Sequence, residues 1–415
     1  MTHSNPLRWL GVIGSTLLIA AACTAPGASP TAQAPTSQAP ATQGATQAPA
    51  TQAATQAPAT QAATQAPATG APATGAASPG AQYTIGFSNP LGVGNGFREE
   101  QLCTAKAQAL VSGQVSSGTW IHRQTDPAGQ LSDIRDLIAA DVDAIVFNPL
   151  DATALNPALD EAQAQGIVTV AIDAAVTDPE TYNLSNDQEA YGYIGAKWLF
   201  EHIGGEGRVW YMRGIIGHPA DADRHEGVLR ALGEHPDIEL FPSQDGQGTN
   251  WDPTTATNLA NEVVSSPDYD TIDGIWTSGM DSQVVDAIQA AAKPFKPIVG
   301  ADLRAFVEQL LNVSGNYDGL EGIAVYNPAS VGGAGVKLAL QLLNGEQPQT
   351  TEGNTVLLPE PLSYENVTEE GREGLEEINV PELDPLWPVS WQIEGWTDYT
   401  FEQMLPPEGC KAPGE

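Results

Sequence analysis

The sequence predicts an α/β protein made of two doubly wound, Rossmann-like lobes. Short unbroken apolar runs alternate with segments that carry apolar residues at helical spacing. This alternation restarts after a polar, turn-rich stretch at 177–187, which we interpret as a crossover between lobes. The run IVTVAI before it has the composition of a parallel strand covered by helices on both faces. Asp173 follows that run, at the carboxyl end of the strand, where open α/β sheets bind ligands.

Before the crossover the pattern predicts four strands and three helices. YTIGFS at 83–88 is the first strand, and 98–113 is a helix with Leu102, Ala105 and Ala109 at helical spacing. The loop between them, NPLGVGNG, has neither GxGxxG spacing nor a GK[ST] ending, which argues against a dinucleotide or P-loop site. The next elements are strand GTWIH, helix LSDIRDLIAA, strand DAIVF, helix ATALNPALDEAQAQ and strand IVTVAI.

After the crossover a second set of elements follows. The predicted helices are EAYGYIGAKWLFEHI, DADRHEGVLRALGEH, PTTATNLANEVVS, DSQVVDAIQAAA, FVEQLLN and PASVGGAGVKLALQLLNG. The predicted strands between them are GRVWYM, IELF, DGIWTS, PIVGA and GIAVY. Aspartates at the start of DADRHEGVLRALGEH are suited to cap that helix. From about residue 360 the chain is acidic and rich in proline and tryptophan without periodicity, so we expect a tail packed on the lobes.

Residues 1–23 predict a lipoprotein signal peptide, and residues 24–82 predict a tether behind it. After Arg8 comes WLGVIGSTLLIAAAC, which is typical of a secretory signal because it is short and ends in small residues. Its last four residues resemble a bacterial lipoprotein box, which would make Cys23 the lipidated first residue of the mature protein; a plain secretion signal remains the alternative. Residues 24–82 contain no charge and consist of Ala, Thr, Gln, Pro, Gly and Ser, so they predict a disordered tether.

Charge and cysteine content narrow the possible partners. All 51 acidic residues follow the tether. The net charge of −35 argues against nucleic acid and anionic lipid as binding partners, because both are negatively charged. We interpret this charge as a solvated surface. No loop has the alternating acidic spacing that a calcium site needs, although the charge makes such a site conceivable. We expect neither a metal nor a cofactor. Cys103 and Cys410 form a disulfide if the exported chain is oxidised; the sequence leaves this open.

Seven motifs occur in order between about residues 83 and 358: DIRDLIAADVDAIVFNPLD, GIVTVAID, NLSNDQEAYGYIGAKWL, MRGIIGHPADADRHEGV, GIWTSGMD, PIVGAD and VYNPASVGGAGVKLALQLLNGE. Together they resemble the type I periplasmic binding proteins, and most closely the ribose-like sugar-binding subunits of ABC transporters. The resemblance implies a monomer, not an enzyme, that captures a monosaccharide between its lobes and docks on a membrane permease. Repressors of this fold carry an N-terminal helix-turn-helix where this chain has its export signal, which excludes a repressor.

The resemblance also implies lobe boundaries. The N-terminal lobe comprises 83–185 and 327–356, the C-terminal lobe 186–326 and 357–395, and the tail 396–415. A hinge of three strands would cross between the lobes near 183–186, near Tyr326 and near Val356.

Sugar recognition requires paired donors and acceptors for hydroxyls and flat aromatic surfaces for CH faces. Asp173 matches the family's strand-tip aspartate, although the arginine that often follows it is alanine here. The resemblance assigns four further positions of the first lobe to the ligand: Asn95, Phe97, Arg98 and Asn148. Because the first loop is longer than usual in the family, Ser88 and Asn89 are alternative contacts.

In the second lobe and hinge the resemblance assigns Arg224, Trp251, Asp281, Asp302, Tyr326 and Asn327. Arg224 belongs to a GxxGxxxxxxRxxG motif; an ion pair with Asp221 or Glu226 is its structural alternative. The family's asparagine before Asp281 is methionine here, and Tyr326 replaces a glutamine. The identity of the sugar therefore does not carry over.

Other functions remain open at this point. Asp173 and Asp302 have the residue types of a glycosidase pair, but Arg98 and Arg224 nearby would keep both charged, which suits hydroxyl capture. The histidines of the second lobe, His218 and His225, are interpreted as solvated, and GxSxG, HExxH and CxxC motifs are missing. The same fold binding a nucleoside, polyol or signalling molecule, or serving as a sensor for a membrane receptor, is the alternative.

Overall fold

A computed structural model describes residues 82–92, 94–406, 409–413 and 415. The predictions for the export signal, for Cys23 and for nearly all of the tether lie outside these residues. Within them, no helix combines the length and the apolar character needed to cross a bilayer.

The strands are β1 (Tyr83–Pro90), β2 (Val115–Arg123), β3 (Ala144–Phe147), β4 (Val168–Ile172), β5 (Tyr182–Ser185), β6 (Glu206–Arg213), β7 (Asp237–Phe241), β8 (Gln247–Gly248), β9 (Gly274–Thr277), β10 (Ile298–Ala301), β11 (Gly322–Val325), β12 (Thr355–Leu357) and β13 (Ser363–Glu365). The helices are α1 (Gly96–Ser112), α2 (Pro127–Ala139), α3 (Asn156–Gln163), α4 (Gln188–His202), α5 (Pro219–Glu234), α6 (Pro253–Ser265), α7 (Asp281–Ala290), α8 (Arg304–Leu310), α9 (Val331–Leu343), α10 (Glu369–Ile378) and α11 (Phe401–Met404), with a 3-10 helix at Pro267–Thr271.

The strands form two sheets, one in each lobe. The first has the order β12-β5-β4-β3-β1-β2 and is wholly parallel. The second has the order β13-β11-β10-β9-β6-β7, with β8 also paired to β6 and only β13 antiparallel. Strands such as β3 are buried along their whole length, as expected when helices cover both faces of a parallel sheet. The predicted two-lobed α/β class is confirmed.

Several local predictions differ from the structure. Helix α5 begins at Pro219, before the predicted aspartates, and its cap is His218, whose ring accepts a hydrogen bond from the Ala220 N–H. The segment after residue 360, predicted without regular elements, forms β13, α10 and α11. Helix α10 buries only Gly371 and Leu375, which is too few for a detectable apolar period.

The chain crosses between the lobes after β5, after β11 and after β12, in agreement with the three predicted crossings. A fourth crossing lies in a segment that we name the C-terminal strap, the described part of 385–415. On the second lobe the Arg304 N–H donates to Trp387 O at 2.9 Å, and the Val389 N–H donates to Asp302 O at 2.8 Å. On the first lobe the Ser330 hydroxyl donates to Ser390 O at 2.9 Å.

The end of the strap is fixed to the first lobe. Cys103 on α1 and Cys410 are joined in a disulfide, and the Lys106 ammonium pairs with Glu415 at 2.8 Å. Ile393 packs into the core of the first lobe. The strap therefore contacts the first lobe before residue 396. The predicted boundary, in which the second lobe extends to residue 395 and the tail begins at 396, differs from this.

Candidate functional site

A pocket with about 620 Å³ of empty space, partly open to solvent, lies between the two lobes. Predicted ligand residues on its wall are Asn95, Phe97, Arg98, Asp173, Arg224, Trp251 and Asn327. The wall also includes Gly94, Gly96, Ala220, Pro253, Ser278, Gly279, Met280, Ala301, Leu303, Leu386 and Pro388. Both lobes and the strap thus contribute to the wall of one pocket.

Asp173 follows β4 and is held rigidly. Its backbone lies in the left-handed region at φ 66°, which costs a non-glycine residue about 1 kcal/mol. Its carboxylate accepts hydrogen bonds from Gln188 Nε2 at 2.7 Å, Asn148 Nδ2 at 3.1 Å and Asn186 Nδ2 at 3.2 Å. The Asn186 amide also donates to Asn327 Oδ1 at 3.0 Å. The pocket carboxylate is therefore connected to two of the interlobe crossings.

Arg224 projects into the pocket from α5 of the second lobe. Its Nε donates to Gln188 Oε1 at 2.7 Å, and its Nη1 donates to the Ser278 hydroxyl at 3.0 Å. The guanidinium carbon lies 4.1 Å from the centre of the Tyr191 ring. Gly227 allows α5 to approach α4 this closely, since a Cβ there would lie 2.1 Å from Glu189 O. The motif glycine thus positions the arginine.

Arg224 forms no ion pair within the described part of the chain. The alternative partner Asp221 pairs instead with Arg213. Arg224 is therefore available to a ligand.

Arg98 enters the pocket from the first turn of α1 and is 2% exposed. Its Nη1 donates to Asn89 Oδ1 at 3.4 Å, and no carboxylate of the described residues pairs with it. Burial, opposed by nearby Asp173 and reinforced by Arg224, lowers the pKa of Arg98 to about 10. The side chain stays cationic at neutral pH.

Two aromatic side chains, Phe97 and Trp251, supply flat surface. The Trp251 indole N–H donates to Ser278 O at 2.8 Å, which fixes the ring. Gly214 of the same motif as Arg224 lies against this ring, where a Cβ would come within 2.0 Å of it. The Asn95 amide donates to Trp251 O at 3.2 Å and thereby joins the two lobes across the cleft.

Four predicted ligand residues lie off the pocket wall: Asn148, Asp281, Asp302 and Tyr326. Asn148 is buried behind Asp173, to which it donates. Asp302 is fully buried, and its two oxygens accept the backbone N–H groups of Asn327 and Ser390. Its carboxylate therefore ties the hinge to the strap instead of meeting the cleft.

Asp281 is also fully buried, with no hydrogen-bond partner for either side-chain oxygen among the described residues. Burial raises the pKa of Asp281 to about 8, so the group is largely neutral at pH 7. Tyr326 packs edge-on against Tyr364, with ring centres 5.9 Å apart. Neither is placed to contact a guest in this pocket.

The histidine interpretation needs one correction. His218 is 1% exposed, not solvated, and burial keeps its pKa well below the ordinary value. Its ring lies edge-on to Trp251, with ring centres 5.0 Å apart. His225 is half-buried and stacks on Tyr211. His218 thus supports the aromatic wall as a neutral ring.

Sequence reasoning missed one residue that supports the wall and two that complete it. Gln188, buried behind the wall, bridges Asp173 and Arg224, and its position just after the crossover is the signal that could have identified it. Leu386 and Pro388 come from the strap, where the sequence gives no periodic signal.

Comparison with known proteins gives a family match. A sequence model described as the periplasmic binding protein domain matches residues 85–347. The xylitol-binding protein of Mycolicibacterium smegmatis is 28% identical over 234 residues, which is 56% of this chain and 65% of that protein. The ribose import binding protein of Escherichia coli is 26% identical over 232 residues, 55% of this chain and 75% of the relative. The match thus spans less than two thirds of the first relative.

Solved structures share the architecture. An ABC transporter solute binding protein from Thermobispora bispora superimposes with a TM-score of 0.62 at 22% identity, covering 80% of this chain and 100% of that one. The binding protein of the arabinose ABC transporter from Shewanella sp. ANA-3 gives a TM-score of 0.62 at 20% identity, covering 71% and 95%. At these identities the likeness shows the fold alone, and this is the two-lobed fold described above.

Proposed function

Because this chain belongs to the periplasmic binding protein family, whose model matches residues 85–347, we propose that it captures a monosaccharide outside the cytoplasm and delivers it to an ABC-type permease. One observation carries this proposal. Asp173 and Arg98 of the first lobe and Arg224 and Trp251 of the second meet on the wall of one pocket.

The chemistry of this wall suits a small polyhydroxylated guest. Arginine donors and a fixed carboxylate bind hydroxyl groups with charge-assisted geometry. The rings of Phe97 and Trp251 cover the CH faces of a sugar. The relatives are named for xylitol and for ribose, both of this chemical type, and xylitol makes a polyol the second candidate ligand.

Capture would work by closure of the lobes around the guest. A ligand that touches both walls stabilises the closed state only, and it can shift the equilibrium by no more than that difference in affinity. The hydrogen bonds from Asp173 through Asn186 to Asn327 link the ligand site to the crossings that must bend. The closed form would then dock on the permease as a monomer.

Binding is favoured over glycoside hydrolysis. Hydrolysis of a glycoside uses two carboxyl groups on either side of the scissile bond. Of the predicted pair, Asp173 lies on the wall, whereas Asp302 is occupied by backbone N–H groups behind it.

We further propose that Cys23 anchors the protein by a lipid to the outer face of a membrane and that residues 24–82 act as its tether. Expression of Cys23→Ser beside the wild type tests this. Release of the variant, but not the wild type, from the membrane fraction is the expected result. Equal release of both would leave plain secretion.

A thermal-shift panel of pentoses, hexoses and polyols on the purified full chain tests the proposed function. Ligand at one hundred times its Kd stabilises the folded state by about 2.7 kcal/mol. With an unfolding entropy of roughly 2.1 cal/mol/K per residue over about 330 ordered residues, this is a shift of about 4 °C.

Arg224→Met should abolish the shift, while Arg230→Met should retain it. Arg230 lies on the same helix, exposed, and pairs with Glu189 at the surface. A panel in which no compound moves the Tm, or an unchanged shift in Arg224→Met, contradicts the proposal.

A further inference from the structure

The pocket presents two arginines to one carboxylate. Arg98 comes from the first lobe and Arg224 from the second, and Asp173 is the one acidic residue on the wall formed by the described residues. Both arginines are nearly inaccessible to solvent, and neither pairs with a carboxylate of the described chain. The wall therefore carries one positive charge in excess.

Hydrogen-bond acceptors on this wall are already largely used. A carboxylate offers about four acceptor positions, and three of those of Asp173 are taken by Asn148, Asn186 and Gln188. The side-chain oxygen of Asn327 accepts from both Asn186 and Gln188. Little capacity remains for the hydroxyl protons of a neutral sugar.

Donors, in contrast, are in surplus. The Arg98 guanidinium has five N–H groups, and only the long bond to Asn89 engages one of them within the described residues. Helix α1 begins at the pocket, and the N–H groups of Gly96 and Phe97 in its first turn have no intrahelical acceptor, as at any helix start. The guest must therefore supply hydrogen-bond acceptors for these donors.

The neighbouring buried carboxyls of the described residues form no ion pair with either arginine. Burial raises the pKa of Asp281 to about 8, so this carboxyl is largely neutral at pH 7. Burial also raises the pKa of Glu100 well above its ordinary value. Asp302 is engaged by two backbone N–H groups, and burial raises its pKa as well. These three groups lie behind the wall.

We propose that the ligand is a sugar acid, a monosaccharide bearing one carboxylate, and that this carboxylate sits between Arg98 and Arg224 when the lobes close. The inference rests on the proposed function and narrows its ligand class. A monoanion matches the excess of one charge, which a dianionic sugar phosphate would exceed.

The same geometry makes closure depend on the anion. Without a guest, two buried like charges from opposite lobes approach each other, which opposes closure. A carboxylate between them accepts charge-assisted hydrogen bonds from both guanidiniums and turns the repulsion into attraction. The one remaining acceptor position of Asp173 is then left for a single ring hydroxyl of the same ligand.

Isothermal titration of the full chain with matched pairs tests the inference. The pairs are D-glucuronate with D-glucose and D-galacturonate with D-galactose, supplemented by D-gluconate, D-ribose, xylitol and glucose 6-phosphate. At least one sugar acid should bind at least tenfold more tightly than every neutral compound and than the phosphate.

Variants assign the effect to the arginine. Arg98→Met should bring the acid-to-neutral ratio of affinities to within about threefold of one, and Arg98→Lys, which keeps the charge, should retain part of it. The lysine variant keeps the test usable if the methionine variant does not fold. Arg135→Met on α2 of the same lobe, whose arginine pairs with Glu161 at the surface, should leave the ratio unchanged.

The outcomes separate the two claims. Equal or tighter binding of a neutral sugar, tighter binding of the sugar phosphate, or an undiminished ratio in both Arg98 variants overturns the sugar-acid inference. The first of these leaves the proposed function standing. Binding of none of these compounds overturns both.

Discussion

The disulfide between Cys103 and Cys410 closes a loop of 307 residues around most of the folded chain. In the chain-entropy treatment, cross-linking so long a loop removes about 19 cal/mol/K from the unfolded ensemble, or about 5.7 kcal/mol at 25 °C. Native disulfides typically contribute about 2–5 kcal/mol, so the calculated figure is an upper bound. Divided by an unfolding entropy of about 0.7 kcal/mol/K for about 330 ordered residues, this range predicts a fall in Tm of about 3–8 °C.

Calorimetry and urea unfolding of Cys103→Ala/Cys410→Ala, beside wild type with and without dithiothreitol, measure this loss. The matched control is Lys106→Met, which removes only the ion pair to Glu415 at the same end of the strap and should cost under about 1 kcal/mol. Tyr399 of the strap is 1% exposed, so we expect the strap of the double variant to remain docked and ligand affinity to change less than about threefold. A Tm within 1 °C of wild type would refute the loop-entropy argument.

Three further substitutions probe the site and hinge. Trp251→Ala removes the fixed indole and should weaken binding of the best panel ligand at least tenfold in isothermal titration, whereas Trp251→Phe should recover most of the lost affinity. Equal affinities of the wild type and the two variants would contradict a stacking role for Trp251. Asp302→Ala leaves the buried backbone N–H groups of Asn327 and Ser390 without their acceptor and should lower the unfolding free energy in urea by about 2–5 kcal/mol. A loss below about 1 kcal/mol would contradict the role of Asp302 in joining the hinge to the strap. Burial raises the pKa of Asp281 from 3.8 to about 8, so its contribution to stability is complete below about pH 4 and is lost as the pH rises toward 8. Relative to Asp281→Asn, the wild type should lose up to about 1.4 kcal/mol per pH unit between pH 5 and 8, and a constant difference would show that the group does not titrate there.

The fold could be predicted from sequence because its signal is local and repeated. A parallel strand buried on both faces must be apolar along its whole length, and β3 and β4 are both of this kind. The position of Asp173 can then be predicted from the end of its strand, and that of Arg224 from the glycines of its motif, without any knowledge of tertiary structure. Gly227 and Gly214 mark where a neighbouring helix and the Trp251 ring come too close for a Cβ.

The site was predicted less completely because sequence position does not determine side-chain direction. Asp302 and Asp281 follow strand ends, as Asp173 does, yet both carboxyl groups are fully buried behind the wall. Asp302 differs from Asp173 because it accepts a hydrogen bond from the Ser390 N–H, which is 88 residues away. Contacts between residues so distant in sequence produce no periodic pattern. The strap was not predicted because it, too, is held by such contacts.

The strap bears on which guest the pocket accepts. Leu386 and Pro388 form an apolar side of the wall, and the Leu386 carbonyl packs so closely on α1 that a Cβ at Gly96 would lie 2.3 Å from it. A hydroxyl held against this side without a hydrogen bond costs about 1–3 kcal/mol. The polar groups of a guest are therefore directed toward Arg98 and Arg224, where donors predominate. A wall that combines an apolar patch with two guanidiniums favours a ligand whose acceptors are gathered at one end, as they are in a sugar that ends in a carboxylate.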